Sequence, residues 1–173
     1  MNIEDWEHRI SALWSNTAID DDERITLMQE LAASAPHPAL GAFELAGALD
    51  SAGDEAAADL QYTAATRAGL ASIDPDRAAQ LVVQHASTLR NLRRIDESIA
   101  MLRDAPVHPA TGAAPQVFLA LALHSAGRSD EALRVALEAV EPGLPRYRRS
   151  VRAYARALTD HEDTRTGEPG SVA

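Results

Sequence analysis

The side chains that could do chemistry are histidines and arginines, and the histidines form no recognised catalytic or metal-binding motif. His37 and His108 each precede a proline, whereas His85 stands among apolar residues. The chain has no cysteine, no H-E-x-x-H pair, no glycine-rich phosphate loop and no G-x-S-x-G elbow. We therefore predict no catalytic residue, no metal site, no cofactor and no enzymatic activity. We expect His85 to be a hydrogen-bonded core histidine in preference to a ligand.

Two groups of arginines are better candidates for binding. Arg90, Arg93 and Arg94 end a predicted helix, and we favour Arg90 as an anchor because a guanidinium matches the geometry of a partner's carboxylate. The alternative is that all three simply stabilise the negative end of the helix dipole. A basic strip near the C-terminus is either the solvated face of a last helix or a patch for an acidic protein segment, with RNA or lipid headgroups as a weaker reading: Arg146, Arg148, Arg149, Arg152 and Arg156.

Charge is distributed unevenly along the 173 residues. The net charge is −10, which argues against sequence-independent binding of nucleic acid. Residues 1–60 carry 13 acids and two arginines, whereas residues 77–158 carry seven acids and 12 arginines. This asymmetry is compatible with an acidic partner on the C-terminal half, with head-to-tail self-association, or with ordinary surface variation. The sequence has no basic leader and no apolar run of about 18 residues, so we expect a cytoplasmic protein without a membrane segment.

The elements that must position these residues are helices. Alanine is abundant and aromatic residues make up only 4%, which favours closely packed helices. The apolar spacing and the helix start and stop signals predict about nine of them. Their predicted bounds are Ile3–Ser15, Asp21–Ala33, Ala39–Ser51, Asp54–Ala68, Pro75–Asn91, Asp96–Arg103, Ala113–Ser125, Ser129–Glu141 and Arg146–Thr159.

Six of these helices form three pairs with the same pattern of small and apolar residues. The turn positions Gly53, Arg93 and Gly127 lie 40 and 34 residues apart, and Arg93 stands where the other two pairs have glycine. The pattern resembles the tetratricopeptide repeat, whose 34-residue unit reads W-x2-L-G-x2-Y…A-x3-F…A…P. The clearest matches are Ala42, Leu45, Ala46, Leu49, Ala58, Tyr62 and Ala65 in the first pair, and Leu119, Ala120, Leu123, Ala132, Ala136 and Ala139 in the third.

The resemblance implies an all-α, right-handed superhelix and a domain plan. Residues 1–35 are expected to form an N-terminal hairpin, 36–145 three helix pairs, 146–159 a capping helix and 160–173 a disordered tail. Two tryptophans on one face of the first helix, Trp6 and Trp14, are predicted to seal the array, with a dimer contact as the alternative. The stretches 84–92 and 144–150 also resemble a group of small bacterial tetratricopeptide-repeat proteins, which implies the fold and no particular activity.

The resemblance also implies where a partner binds, because the first helix of each pair lines a concave groove in this family. We therefore predict a non-catalytic adaptor that holds a protein or peptide segment, an acidic one if Arg90 is the anchor. The alternative is a structural protein that self-associates as a homodimer or larger oligomer through its acidic N-terminal and basic C-terminal faces. The predicted groove residues are Phe43, Asp50, Gln80, Val83, Gln84, Ser87, Arg90, Val117, Leu121 and His124, with Arg148 and Arg152 from the last helix.

Overall fold

The computed structural model describes residues 2–160, and this part of the chain contains ten α-helices, one short 3-10 helix and no strand. The all-α, tetratricopeptide-like architecture predicted from the sequence is confirmed. In chain order, the helices are α1 (Ile3–Ser15), α2 (Asp21–Ala33), α3 (Pro38–Ser51), α4 (Glu55–Arg67), α5 (Leu70–Ile73), α6 (Pro75–Asn91), α7 (Ile95–Arg103), α8 (Ala114–Ser125), α9 (Ser129–Val140) and α10 (Arg148–Asp160), with the 3-10 helix at Glu141–Gly143.

Local sequence signals explain where several helices begin. The side chains of Asn2, Asp20, Asp54 and Asp74 each accept a hydrogen bond from the backbone N–H three residues later. Such caps satisfy one of the amides that a helix start leaves without a partner. The run of acids from Asp20 to Glu23 is thus a helix start, since Asp20 caps α2 and the following acids occupy its first turn.

Consecutive helices pack as antiparallel pairs, α3 with α4, α6 with α7 and α8 with α9. The turn in each pair contains one residue with positive φ: Gly53 at 83°, Arg93 at 64° and Gly127 at 76°. Glycine reaches this conformation without steric cost, whereas a residue with a Cβ is strained there. The equivalence of the three turns therefore holds in the backbone even where arginine replaces glycine.

Small residues set the distance between helices in the N-terminal half. A Cβ added to Gly41 of α3 would lie 2.6 Å from the backbone oxygen of Ala32 in α2. Ala46, Ala58 and Ala65 are completely buried in the cluster that also contains Trp6. The Trp6 indole N–H donates to the oxygen of Leu31 at 2.9 Å. Trp6 thus seals the start of the array and has no surface left for a dimer contact.

The observed elements differ from the prediction at three places, the first being the short 3-10 helix at Glu141–Gly143. The residues between α4 and α6 contain a short additional helix, α5, whose Leu70 is buried against the first pair. The last helix begins at Arg148 and includes Asp160, so residue 160 belongs to α10 and not to the predicted tail. The remainder of that predicted tail, residues 161–173, lies outside the described residues. Within the described part, no helix is long and apolar enough to cross a membrane.

Candidate functional site

A cavity of about 690 Å³ opens on the side of the stack where α1 faces α3 and α6. Its apolar walls are the rings of Trp14, Phe43 and Tyr62, and the amide side chains of Gln80 and Gln84 project from α6. Gly47 leaves room for the indole, because a Cβ there would lie 3.3 Å from Trp14. Five carboxylates and one guanidinium complete the lining: Glu7, Glu44, Asp50, Asp74, Asp76 and Arg77.

Arg77 gathers three of these carboxylates. Its guanidinium makes two hydrogen bonds to Glu7, at 2.8 and 2.6 Å, one to Glu44 at 2.9 Å and one to Asp74 at 2.8 Å. It also lies over the ring of Trp6, 5.7 Å from the centroid. Burial alone lowers the pKa of Arg77, but the hydrogen bonds to Glu7 and Asp74 outweigh it and raise the pKa. Arg77 therefore remains a cation and ties α1, α3 and α6 together.

Glu44 is a buried carboxylate in an otherwise apolar helix, with 6% of the residue exposed. Besides the bond from Arg77, it accepts the indole N–H of Trp14 at 2.8 Å. A buried charge is tolerated when it is paired and hydrogen-bonded in this way. Because Trp14 reaches Glu44 from α1, the same contact also fixes one wall of the cavity.

Asp50 differs from the other acids that line the cavity because no ion pair joins it to any residue between 2 and 160. Its one hydrogen-bond partner among these residues is the hydroxyl of Thr88, which donates to Oδ1 at 2.8 Å. Burial raises the pKa of Asp50 above its ordinary value, the Thr88 bond opposes that shift, and Glu55 adds to it. The neighbouring hydroxyl of Tyr62 donates to Oε1 of Gln84 at 3.4 Å. The cavity thus contains a carboxylate without a paired cation.

The predicted groove residues are distributed over two surfaces. Phe43, Asp50, Gln80 and Gln84 line the concave cavity. Val117, Leu121 and His124 lie instead in a separate groove of about 450 Å³ between α8 and α9. Its lining is almost wholly apolar and includes Leu133 and Val140, both exposed by about half or more of their surface.

Three predicted residues of α6 lie outside both surfaces. Val83 is buried, Ser87 is half-buried and Arg90 ends the helix, where its guanidinium contacts the side chain of Asn91 at 3.4 Å. None of the three lines the concave cavity. The favoured anchor, Arg90, is therefore separated from the cavity residues that were predicted with it.

The two predicted arginines of α10 are engaged within the chain. Arg148 donates to Glu141 at 2.8 Å, and Arg152 donates to both oxygens of the same carboxylate at 3.0 Å. Glu141 is 5% exposed, and hydrogen bonds from Arg152 and Arg148 lower its pKa. These contacts hold α10 on the end of α9, while both arginine side chains stay about half exposed and keep further N–H groups for a partner.

His85 belongs to a polar cluster on another face of the stack. Its Nε2 lies 2.6 Å from Oδ1 of Asp59, and its ring stacks on Tyr62 with centroids 5.3 Å apart. Arg94 donates to the other oxygen of Asp59 at 2.6 Å and binds Glu97. Burial alone raises the pKa of Asp59, but the bonds from His85 and Arg94 together lower it. His85 is thus a hydrogen-bonded core histidine, as expected.

Most of the residues that build the cavity were not among the predicted groove residues: Glu7, Trp14, Glu44, Tyr62 and Arg77. One signal was present: Glu44 is the single charge in the run from Ala39 to Leu49, and a lone charge on an apolar helix requires a partner. Within residues 2–160, no three His, Asp or Glu side chains come together as a metal site would require.

Comparison with known proteins identifies the family of the chain. The family model described as tetratrico peptide repeat matches residues 39–158, which is more than half of the chain and includes most of α10. No curated protein and no solved structure matches it. The matched span contains the three helix pairs and their left-handed turns. The chain therefore belongs to the tetratricopeptide repeat family.

Proposed function

We propose that this protein is a non-catalytic adaptor that binds a segment of a partner protein in the concave cavity between α1, α3 and α6. Tetratricopeptide repeat proteins are generally interaction modules, and the observation that carries the proposal here is the cavity itself. Its 690 Å³ fall within the range of built binding sites, about 300–1,000 Å³. That volume suits a few side chains of an extended segment or of one helical turn.

The lining is suited to a partner side chain that has an apolar part and a polar part. The ring of Trp14, which is 36% exposed, offers flat apolar surface, while Gln80 and Gln84 offer donors and acceptors that can orient a peptide. Trp14 is already held by its hydrogen bond to Glu44, and Glu44 by Arg77. A wall that is ordered before binding loses little conformational entropy when the partner arrives.

Obstruction of the cavity tests this function. Gln80 lines the cavity and takes no part in the hydrogen bonds of the described residues, so Gln80→Trp should fill the space without breaking the Arg77 cluster. The matched control is Gln61→Trp on α4, also half-buried and not part of the cavity lining. We expect affinity capture from a lysate of the parent organism to lose its main partner with Gln80→Trp and to keep it with Gln61→Trp. Equal capture by both variants would contradict the proposed site.

Self-association is the second candidate, and the exposed face formed by α10 and the residue before it favours this reading. Tyr147 and Tyr154 are each exposed by about three quarters of their surface, beside the exposed Arg149 and Arg156. Such a basic, aromatic face is suited to the acidic N-terminal region of a second copy. A head-to-tail contact of this kind is not closed by a two-fold axis and leads to longer assemblies. The mass from sedimentation equilibrium should then rise with concentration and fall with added salt, whereas a constant monomer mass would exclude it.

A further inference from the structure

We infer that the concave cavity takes a basic segment, with an arginine or lysine side chain of the partner bound at Asp50. This inference rests on the proposed function and names the chemistry of the partner. It reverses the expectation of an acidic partner that followed from Arg90. Three features of the cavity lead to it in turn: its uncompensated negative charge, the position of Asp50 and the way the protein binds its own Arg77.

The charge of the lining is the first step. Five carboxylates face one guanidinium, and Arg77 neutralises part of the charge of Glu7, Glu44 and Asp74 through hydrogen bonds of 2.6–2.9 Å. Asp76 lies at the exposed rim. An anionic segment that entered this space would meet like charges at short range, which costs several kcal/mol in an interface. A cationic segment would be attracted by the same field.

The position of Asp50 is the second step. It stands on the cavity-facing side of α3 with Phe43 and Gly47, and one hydroxyl, that of Thr88, is its only hydrogen-bond donor among residues 2–160. An ionised carboxylate accepts about four hydrogen bonds, so most of the capacity of Asp50 is unused inside the protein. Gln84 on α6 supplies a second acceptor nearby for the remaining N–H groups of a guanidinium.

The third step is that the chain already binds a guanidinium in this cavity. Arg77 is held by carboxylates from two helices while it lies over the ring of Trp6. The lining at Asp50 also combines a carboxylate with an aromatic ring, since Phe43 stands on the same side of α3 and keeps 5% of its surface exposed. Aromatic faces attract cations most strongly where water is displaced. Asp50 and Phe43 therefore present to a partner the same two kinds of group, a carboxylate and an aromatic ring, that hold Arg77.

The test uses two probes that differ in charge but hardly in shape, Nα-acetyl-arginine methylamide and Nα-acetyl-citrulline methylamide. Each is titrated into 15N-labelled full-length protein at low salt while amide and indole shifts are followed. We expect the arginine probe to shift the signals of Gly47, Asp50, Gln84 and the Trp14 indole, and the citrulline probe to bind at least about tenfold more weakly. Equal binding of the two probes, or shifts confined to α8 and α9, would overturn the inference.

Two variants distinguish specific binding at Asp50 from a general effect of the negative charge of the protein. Asp50→Asn keeps the size of the side chain and an acceptor for Thr88, and it should weaken the arginine probe at least about tenfold. Asp96→Asn removes the same charge from an exposed position of α7 outside the cavity and should leave binding unchanged. Equal affinity of the wild type and Asp50→Asn overturns the inference. The cavity-filling test with Gln80→Trp decides the proposed function separately, because partner capture there does not depend on whether the partner is basic.

Self-association is resolved in the same experiment. Shifts of the cavity signals that grow with protein concentration before any probe is added would show that α10 of a second copy is the occupant. That result would overturn the assignment to a different protein, although the cavity would still bind a basic helix. Constant shifts over the accessible range of concentration support the assignment.

Discussion

The concave cavity of α1, α3 and α6 and the apolar groove of α8 and α9 are lined in part by residues at equivalent positions of the repeat but have different environments. Phe43, Val83 and Val117 each stand ten residues before the turn positions Gly53, Arg93 and Gly127. Phe43 and Val83 are buried, whereas Val117 is 46% exposed. Equivalent positions in the repeat therefore do not have equivalent surroundings.

The difference follows from the helix that comes next. The first pair is covered by α1 on one side and followed by α6, and the second pair is followed by α8, which packs on α6. The third pair is followed by α10, which packs against α9 and the 3-10 helix and makes no comparable contact with α8 within residues 2–160. Because each repeat buries its surface only against its neighbours, α8 and α9 keep an apolar groove.

The two regions also use arginine differently. In the N-terminal region one guanidinium, Arg77, joins carboxylates of three elements. In the C-terminal region one carboxylate, Glu141, joins two guanidiniums of the same helix, Arg148 and Arg152. The first arrangement leaves acids free to attract a ligand. The second neutralises part of a basic helix and holds it on the array.

Arg77→Met gives the largest expected effect. The substitution removes the cation from the buried Glu44 and from Glu7 and Asp74, and loss of one partner of a buried ion pair costs about 3 kcal/mol. We expect the free energy of unfolding in urea to fall by about that amount. The control Arg149→Met, on the exposed face of α10, should change it by less than about 0.5 kcal/mol. Similar losses in both variants would remove the distinction between the two regions.

A pair of aspartate substitutions tests whether the cavity contains both a structural and a ligand-binding acid. Asp74 caps α6 and binds Arg77. Burial alone raises the pKa of Asp74, but these contacts together lower it, whereas burial raises the pKa of Asp50. At pH 7, Asp74→Asn should therefore lower the free energy of unfolding by about 1 kcal/mol, a value limited by solvent screening. Asp50→Asn should leave it unchanged or raise it.

The pH dependence of stability in these two variants tests independently whether each aspartate stabilises or destabilises the fold. An acid whose pKa is lowered by folding stabilises the protein above its unfolded-state pKa and loses that contribution as the pH falls through the folded-state value. The loss of unfolding free energy in Asp74→Asn should thus be full above about pH 3.8, the ordinary value for Asp, and shrink as the pH falls from there through the lowered folded-state pKa of Asp74. Any increase in the free energy of unfolding caused by Asp50→Asn should be present above the raised folded-state pKa of the Asp50 carboxyl. That increase should vanish as the pH falls below 3.8. Denaturant titrations from pH 3 to 7 measure both.

Glu141→Gln is expected to have the smallest and most local effect. The substitution weakens the hydrogen bonds that Arg148 and Arg152 make to the 3-10 helix. We expect faster hydrogen exchange of the amides in α10, with unchanged exchange in α3 and α6, because local openings follow local contacts. The same variant should not alter the indole signal of Trp14. Faster exchange throughout the chain would show that the two regions are not independent.

The helices and turns could be predicted because they depend on residues close in sequence. The caps Asp20 and Asp74, and the equivalence of the turns at Gly53, Arg93 and Gly127, are local signals. The periodic small residues then predict the pairing of helices. The short helix α5 was missed because its four residues are too few to show a helical period.

The binding surface could be predicted only in part, because its character comes from contacts between distant residues. Phe43 and Asp50 follow from the register of the repeat, but Glu7 and Arg77 meet across 70 positions of the chain. Their meeting depends on how α1 crosses the first pair, which the repeat pattern does not describe. For the same reason Arg90, which has the right chemistry for an anchor, lies outside the cavity.

The central claim is that the cavity binds a basic segment at Asp50. Selection from a random peptide display library tests it most directly, because peptides can bind to either of the two regions. Wild type, Asp50→Asn and Leu121→Ser are used as parallel baits; the last places a polar group in the exposed groove of α8 and α9. We predict enrichment of arginine- and lysine-containing peptides on the wild type and on Leu121→Ser, and loss of that enrichment on Asp50→Asn. Enrichment of acidic or purely apolar peptides, retained by Asp50→Asn and lost by Leu121→Ser, would contradict the account.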